Sequence, residues 1–140
     1  MSPITPTPEV LFVCVHNAGR SQMAAGFLRH LAGDSVRVRS AGSMPADRIN
    51  PAVMEAMAER GIDLGASIPS KLSRDKVSTA DVVVTMGCGD ACPVLPGKRY
   101  LDWELDDPAG KGVSGVRPVR EEIEVLVRGL LTDLGVEASS

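Results

Sequence analysis

The sequence has no apolar stretch approaching the ~18 residues that a bilayer-spanning helix requires, so nothing in it reads as a membrane span. Basic runs are equally absent. Its 15 lysines and arginines stand against 18 aspartates and glutamates, a net charge of −3, which offers no surface for nucleic acid or an anionic membrane. A mildly acidic chain that binds an anion must do so with a local site. Histidine is limited to His16 and His30, and cysteine to Cys14, Cys88 and Cys92. An odd number of thiols argues against a structural disulfide framework and for catalytic, redox or metal roles. No internal repeat and no domain linker interrupts the sequence, which excludes a tandem array.

Its composition, 44% hydrophobic and 24% charged, is that of an ordinary soluble globular chain long enough to bury a substantial core. Residues 1–8 are rich in proline and threonine, lack a basic segment followed by an apolar one, and read as a loose tail. Residues 9–135 read as a single domain and residues 136–140 as a C-terminal tail. The expected compartment is the cytoplasm, where thiols stay reduced.

The most informative stretch is CVHNAGRS, Cys14 to Ser21. It follows a continuous apolar run, Val10 to Val13, of the kind that forms a strand buried on both faces. Beyond it Met23, Ala24, Phe27, Leu28 and Leu31 recur at helical spacing, and Gly33 stands where a helix C-cap belongs. The segment therefore reads as strand, tight loop and helix, with Asn17 and Gly19 supplying turn chemistry. In that geometry the backbone N–H groups of the loop, Val15, His16, Asn17, Ala18 and Gly19 among them, converge with the unpaired donors of the first helical turn. The helix dipole adds roughly half a positive charge at that point. An oxyanion fits there, and a thiol there has its ionised form favoured, which makes Cys14 a nucleophile. Arg20 presents a planar fork to two oxygens of a tetrahedral anion, and Ser21 can donate to the thiolate. The competing reading, an inert core cysteine with a chance Cys-x5-Arg spacing, does not account for the position between strand and helix.

Further along, Val36 to Gly42 alternates as a strand, Asn50 and Pro51 read as N-cap and first helical residue, and Gly61 ends that helix. A short helix is expected around Arg74 to Val77, a buried strand over Asp81 to Met86, and a weaker one at Arg99 to Trp103. The last helix carries Ile123, Leu126, Val127, Leu130, Leu131 and Leu134 on one face, tolerates Pro118 only in its first turn, and stops at Gly135. Alternating strands and helices imply an α/β fold with a parallel sheet and right-handed crossovers. Sites in such sheets form beyond the carboxyl ends of strands at the topological switch point.

Cys88 lies between two glycines and Cys92 precedes Pro93. Glycine on both sides gives Cys88 backbone freedom, and the two thiols could pair if the loop bends; a plain turn with Cys92 as core filler is the alternative. A zinc site of Cys14, His16, Cys88 and Cys92 matches no usual ligand spacing, so no metal is expected. In DDPAGK, Asp106 to Lys111, Asp107 beside its proline is the better candidate for a proton donor, because a nearby anion raises a carboxyl pKa. His16 and His30 are expected in plain loop and surface-helix roles.

Three segments together, CVHNAGRS, CGDACP and DDPAGK, resemble the arsenate reductases built on the low-molecular-weight tyrosine phosphatase fold. The resemblance runs from Val10 to about Leu134. It implies a four-stranded parallel sheet flanked by helices, with a Cys-x5-Arg phosphate loop, and a thioredoxin-coupled mechanism. Carried onto this sequence, it makes Cys14 the nucleophile on arsenate held by the loop amides and Arg20, and Asp107 the acid. Cys88 and Cys92 become the resolving thiols, thioredoxin the reductant of their disulfide. A monomer without cofactor is expected. Some family members bind potassium through a set that includes a glutamate in the first helix. Here Ala25 stands at that place while Asn17 and Ser40 match the set, so a potassium effect is doubtful. A tyrosine phosphatase shares Cys14, Arg20, Ser21 and Asp107, but aryl substrates call for aromatic walls and aromatics are only 3% of the chain. Reductases that use a low-molecular-weight thiol lack the two extra cysteines. A thiol sensor or metal-binding module has no use for Arg20 or Asp107.

Overall fold

The computed structural model describes residues 7–87, 92–108 and 110–138. Its four strands, β1 (Glu9–Cys14), β2 (Arg37–Gly42), β3 (Val82–Thr85) and β4 (Arg99–Asp102), form one sheet in the order β2-β1-β3-β4, parallel throughout. The apolar run Val10–Val13 becomes the fully buried centre of that sheet. Its alternation divides the core: Val10, Phe12 and Cys14 face the larger hydrophobic cluster, while Leu11 and Val13 face a smaller one. The larger cluster lies under α1 (Arg20–Ala32), α2 (Pro51–Ala58) and α4 (Gly112–Leu134); the smaller lies under α3 (Arg74–Thr79).

The chain leaves β1 for one neighbour, β2, and later returns to the other side of β1 for β3. This reversal of strand order opens a crevice beyond the carboxyl end of β1, where Cys14 stands. The expected caps are in place. Asn50 Oδ1 accepts from Ala52 N at 3.0 Å with Pro51 as first helical residue, and Gly135 closes α4 in the left-handed conformation at φ 73°. The short helix α3 runs two residues beyond the expected end, to Thr79, with Ser73 as its cap.

Pro118 departs from expectation. The helix α4 begins at Gly112, so Pro118 lies beyond its first turn rather than in it. A proline there forfeits one backbone hydrogen bond and crowds the preceding turn, a cost of ~3 kcal/mol in an unsupported helix. Here the preceding turn is held from outside: Val116 is fully buried, and Arg117 grips Glu59 at the end of α2 through Nε–Oε1 at 3.0 Å and Nη2–Oε2 at 2.6 Å. Arg120 adds bonds to the Ala56 carbonyl at 2.7 Å and Glu59 Oε1 at 2.6 Å, so the cationic face of α4 clamps the C-terminus of α2.

Hydrogen bonds from Arg117 and then Arg120 hold the Glu59 carboxyl at about 2, below its ordinary 4.5. A lowered folded-state value means that this stabilisation is complete above about 4.5 and is lost as pH falls toward 2. Chemical denaturation at a series of pH values is expected to show Glu59→Gln less stable than wild type near pH 6, with the gap closing as pH approaches 2. A gap independent of pH would remove Glu59 ionisation from the account.

Candidate active site

The loop between β1 and α1 is shaped by where its carbonyls go. The carbonyls of Cys14, Val15, His16 and Ala18 accept from Ser43, Met44, Ala46 and Asn50 N–H groups at 3.2, 2.8, 2.9 and 3.0 Å. All four are thereby committed to the segment behind the loop. In a trans peptide the following N–H points opposite to the carbonyl, and no cis bond occurs among the described residues. The amides of Val15, His16, Asn17 and Gly19 therefore turn toward the front, forming the concave nest that favours an anion.

Cys14, 2% exposed, sits at the base of this nest. Its Sγ accepts from Asn17 N at 3.2 Å and lies 2.8 Å from Ser21 Oγ. Asn17 Nδ2 donates to Ser21 Oγ at 2.7 Å, which leaves the Ser21 proton for the sulfur. Asn17 adopts φ 50°, the one non-glycine residue with positive φ among those described. Its Oδ1 accepts from Ser70 N at 2.9 Å and Gln22 Nε2 at 3.1 Å, and Gln22 Nε2 also reaches the Asn17 carbonyl at 3.1 Å. Gln22 and Ser70 were not singled out from the sequence. The signal for Gln22 was present: an amide inside the apolar stripe of α1, 1% exposed in the fold, has to be serving a buried partner.

In front of the thiol a cavity of about 50 Å³ is bounded by Cys14, Arg20, Asn50, Asp107 and Pro108. One water needs roughly 10–15 Å³ of such space, so this is room for a small anion. Arg20 Nη2 lies 3.9 Å from Asp107 Oδ2, Arg20 mostly buried and Asp107 59% exposed. Gly87, the residue before Cys88, adopts φ 85° and comes so close that a Cβ on it would lie 2.9 Å from Arg20 Nη1. His16 is exposed, with Nδ1 3.0 Å from the Met44 carbonyl, and His30 is exposed on α1. The fold thus brings Cys14, Ser21, Arg20 and Asp107 around one space. Cys92 is elsewhere: it is buried in the smaller cluster, across the sheet from the cluster that holds Cys14, with its Sγ 3.7 Å from the Pro93 carbonyl. Cys88 lies outside the described residues. Among the described residues, no group of three metal-ligating side chains assembles, and no helix is long and apolar enough to cross a membrane.

A family model described as low molecular weight phosphotyrosine protein phosphatase matches residues 9–140. The chain belongs to that phosphatase family. It is similar to the putative arsenate reductase of Halobacterium salinarum, 39% identical over 132 residues that cover 91% of this chain and 93% of the relative. Among solved structures it resembles a thioredoxin-dependent arsenate reductase of Corynebacterium glutamicum, at 48% identity and a TM-score of 0.84 over 94% of this chain. This chain spans 63% of the length of that protein. It also resembles an arginine phosphatase of Geobacillus stearothermophilus, at 28% identity and a TM-score of 0.77 over 91% of this chain and 93% of that one.

In this member of the phosphatase family, Gly42 lets β2 approach the loop. A Cβ there would lie 2.6 Å from the Val15 carbonyl oxygen and 2.9 Å from Asn17 N, both backbone atoms. Gly42→Ala is expected to cost about 1–3 kcal/mol and to weaken inorganic phosphate binding at least tenfold, measured by urea denaturation and calorimetry; unchanged phosphate affinity would contradict the fit. Gln22→Met keeps the volume but strips Asn17 of two donated bonds. It is expected to cost about 1–3 kcal/mol and to slow alkylation of Cys14 by iodoacetamide at neutral pH, whereas a variant alkylated at the wild-type rate would sever Gln22 from the thiol.

Proposed function

We propose that the protein is an arsenate reductase that works through Cys14, Cys88 and Cys92 with thioredoxin as electron donor. The observation that carries the proposal is the position of Cys14 Sγ, held by Asn17 N and Ser21 Oγ at the base of an amide-lined loop, facing one small cavity with Arg20 and Asp107. The names of the similar reductases supply the substrate and the donor.

In this reading the loop amides and Arg20 bind arsenate, and the Cys14 thiolate attacks arsenic. The departing oxygen leaves as hydroxide or, with a proton from Asp107, as water. Preorganised donors aimed at the oxyanion stabilise the charge that develops on it. Cys88 thiolate then attacks Cys14 Sγ, the sulfur–arsenic bond breaks with its electron pair going to arsenic, and arsenic(V) leaves as arsenite. Cys92 attacks Cys88, freeing Cys14 and leaving a Cys88–Cys92 disulfide for the thioredoxin dithiol to reduce. Gly87, placed against Arg20, starts the Cys88 segment beside a residue that lines the Cys14 cavity. Cys92 is buried on the far side of the sheet, so the second exchange requires its segment to leave the smaller cluster.

The same groups suit phosphomonoester or phosphoarginine hydrolysis, but neither reaction uses Cys88 or Cys92. Potassium does not fit the oxygens beside Asn17: Gln22 Nε2 already occupies that place, donating to Asn17 O, Asn17 Oδ1 and, at 3.5 Å, the Ile68 carbonyl, and Ala25 brings no ligand. The proposal extends to a cytoplasmic monomer whose working domain is residues 9–135.

Arsenate-dependent NADPH oxidation with thioredoxin and thioredoxin reductase tests this. Cys14→Ser is expected to abolish it, Arg20→Lys to lower kcat/KM by roughly 10²-fold, Cys88→Ser to halt before any arsenite is released, and Cys92→Ser to stop each molecule after a single arsenite. Sustained cycling in either resolving-cysteine variant refutes the relay, and cycling only with a low-molecular-weight thiol refutes the thioredoxin donor.

A further inference from the structure

The free edge of β2 is unusual in what it offers. Arg37 N donates to the Pro8 carbonyl and Ser43 N to the Cys14 carbonyl, at 2.8 and 3.2 Å, so the odd-numbered residues of this strand face β1. By the alternation of a parallel ladder, Val38, Ser40 and Gly42 direct their backbone groups outward. Gly42 is occupied on both sides, its N–H by the Ser70 carbonyl and its carbonyl by Leu72 N–H, each at 2.8 Å. At Val38 and Ser40 the acceptors are taken by side chains: Arg29 Nη2 donates to the Val38 carbonyl at 3.2 Å, and Ser70 Oγ to the Ser40 carbonyl at 2.7 Å. An added strand needs donors and acceptors in alternation. This edge presents donors, and so suits an anion rather than a peptide.

The surroundings agree. A cleft of about 440 Å³ runs along the edge, lined by Arg29, Arg39, Lys76, Val38, Ser40 and Ser67 among others, and no carboxylate among the described residues lines it. Arg39 has a distant counter-charge in Glu9 at 3.9 Å; Arg29 and Lys76 are held to backbone carbonyls instead, Val38 for one and Lys71 for the other. Burial lowers the Lys76 pKa and the neighbouring Arg39 lowers it further, while burial lowers that of Arg29. Cations crowded in this way are relieved by a bound anion. The cleft is separate from the cavity in front of Cys14, with which it shares no lining residue.

We infer that the β2 edge cleft is a second anion site, in which the amides of Val38 and Ser40 together with Arg29, Arg39 and Lys76 bind a phosphate-class dianion. The volume exceeds that of one inorganic ion, so the dianion is either free phosphate or the phosphate group of a larger molecule. The inference does not rest on arsenate chemistry.

Titration of the ¹⁵N-labelled protein with inorganic phosphate, and in parallel with glycerol phosphate, reads both sites at once. The Val38 and Ser40 amide resonances are expected to move with their own saturation midpoint, distinct from that of Gly19 in the Cys14 loop. Arg39→Glu/Lys76→Glu is expected to raise the midpoint at Val38 and Ser40 at least tenfold and leave that of Gly19 in place; Lys76→Gln, a milder change, is expected to raise it severalfold. A lower midpoint for the free ion or for the monoester identifies the source, and either supports the site. Val38 and Ser40 amides that stay still while Gly19 saturates, or that follow Gly19 with one shared midpoint in wild type and Lys76→Gln alike, overturn it.

Discussion

Asn17 stands at φ 50° with its side chain fully buried, and the hydrogen bonds around it set the geometry of the Cys14 loop. Its backbone N–H reaches Cys14 Sγ, its Nδ2 orients Ser21, and its Oδ1 ties the loop to Ser70 and Gln22. A left-handed non-glycine residue costs free energy and persists only where its surroundings over-determine it. Here they do so from both sides, through α1 and through the segment that follows α2. The inward-facing amides, the thiol between two donors and the narrow cavity all depend on that single residue being locked.

The sheet explains why the lock stands at this end of the molecule. With β1 central and its two neighbours reached by crossovers in opposite directions, the carboxyl end of β1 is flanked by departing chain on both sides. The carbonyls of the loop can therefore be satisfied by the Ser43–Asn50 segment, while its amides face open space. Gly42 makes the close approach sterically permissible, and the Arg117, Arg120 and Glu59 clamp fixes α2, whose cap Asn50 borders the cavity. A packing decision in the core thus reaches the site through backbone hydrogen bonds.

The distribution of the thiols follows the same alternation. Even-numbered residues of β1 face the larger cluster, which puts Cys14 on that side, while Cys92 is buried in the smaller one. Two thiols placed on opposite faces of one sheet are kept apart in this state. Under the proposed chemistry, the second exchange is tied to movement of the segment that carries Cys92 out of the smaller cluster.

The elements were legible because each carries a local signal. The unbroken apolar run of β1, Asn50 before Pro51, the stripe of α4 and Gly135 after it each act over a few residues. The strand–loop–helix around Cys14 was legible for the same reason, and with it Cys14, Arg20 and Ser21. The start of α4 was not, because the turn before Pro118 is stabilised by Glu59 and the core rather than by its own sequence. Gln22 and Ser70 escaped notice because their partner, Asn17, meets them only when α1 and the chain beyond α2 converge. The sequence alone determined the order of elements and the strand–loop–helix form of the Cys14 segment, since these rest on short-range periodicity and on residue type. Only the tertiary structure decided that Asp107 faces Arg20, that Cys92 lies across the sheet from Cys14, and that three cations gather at the edge of β2. Each of these joins residues far apart in the chain, and no local propensity carries that information.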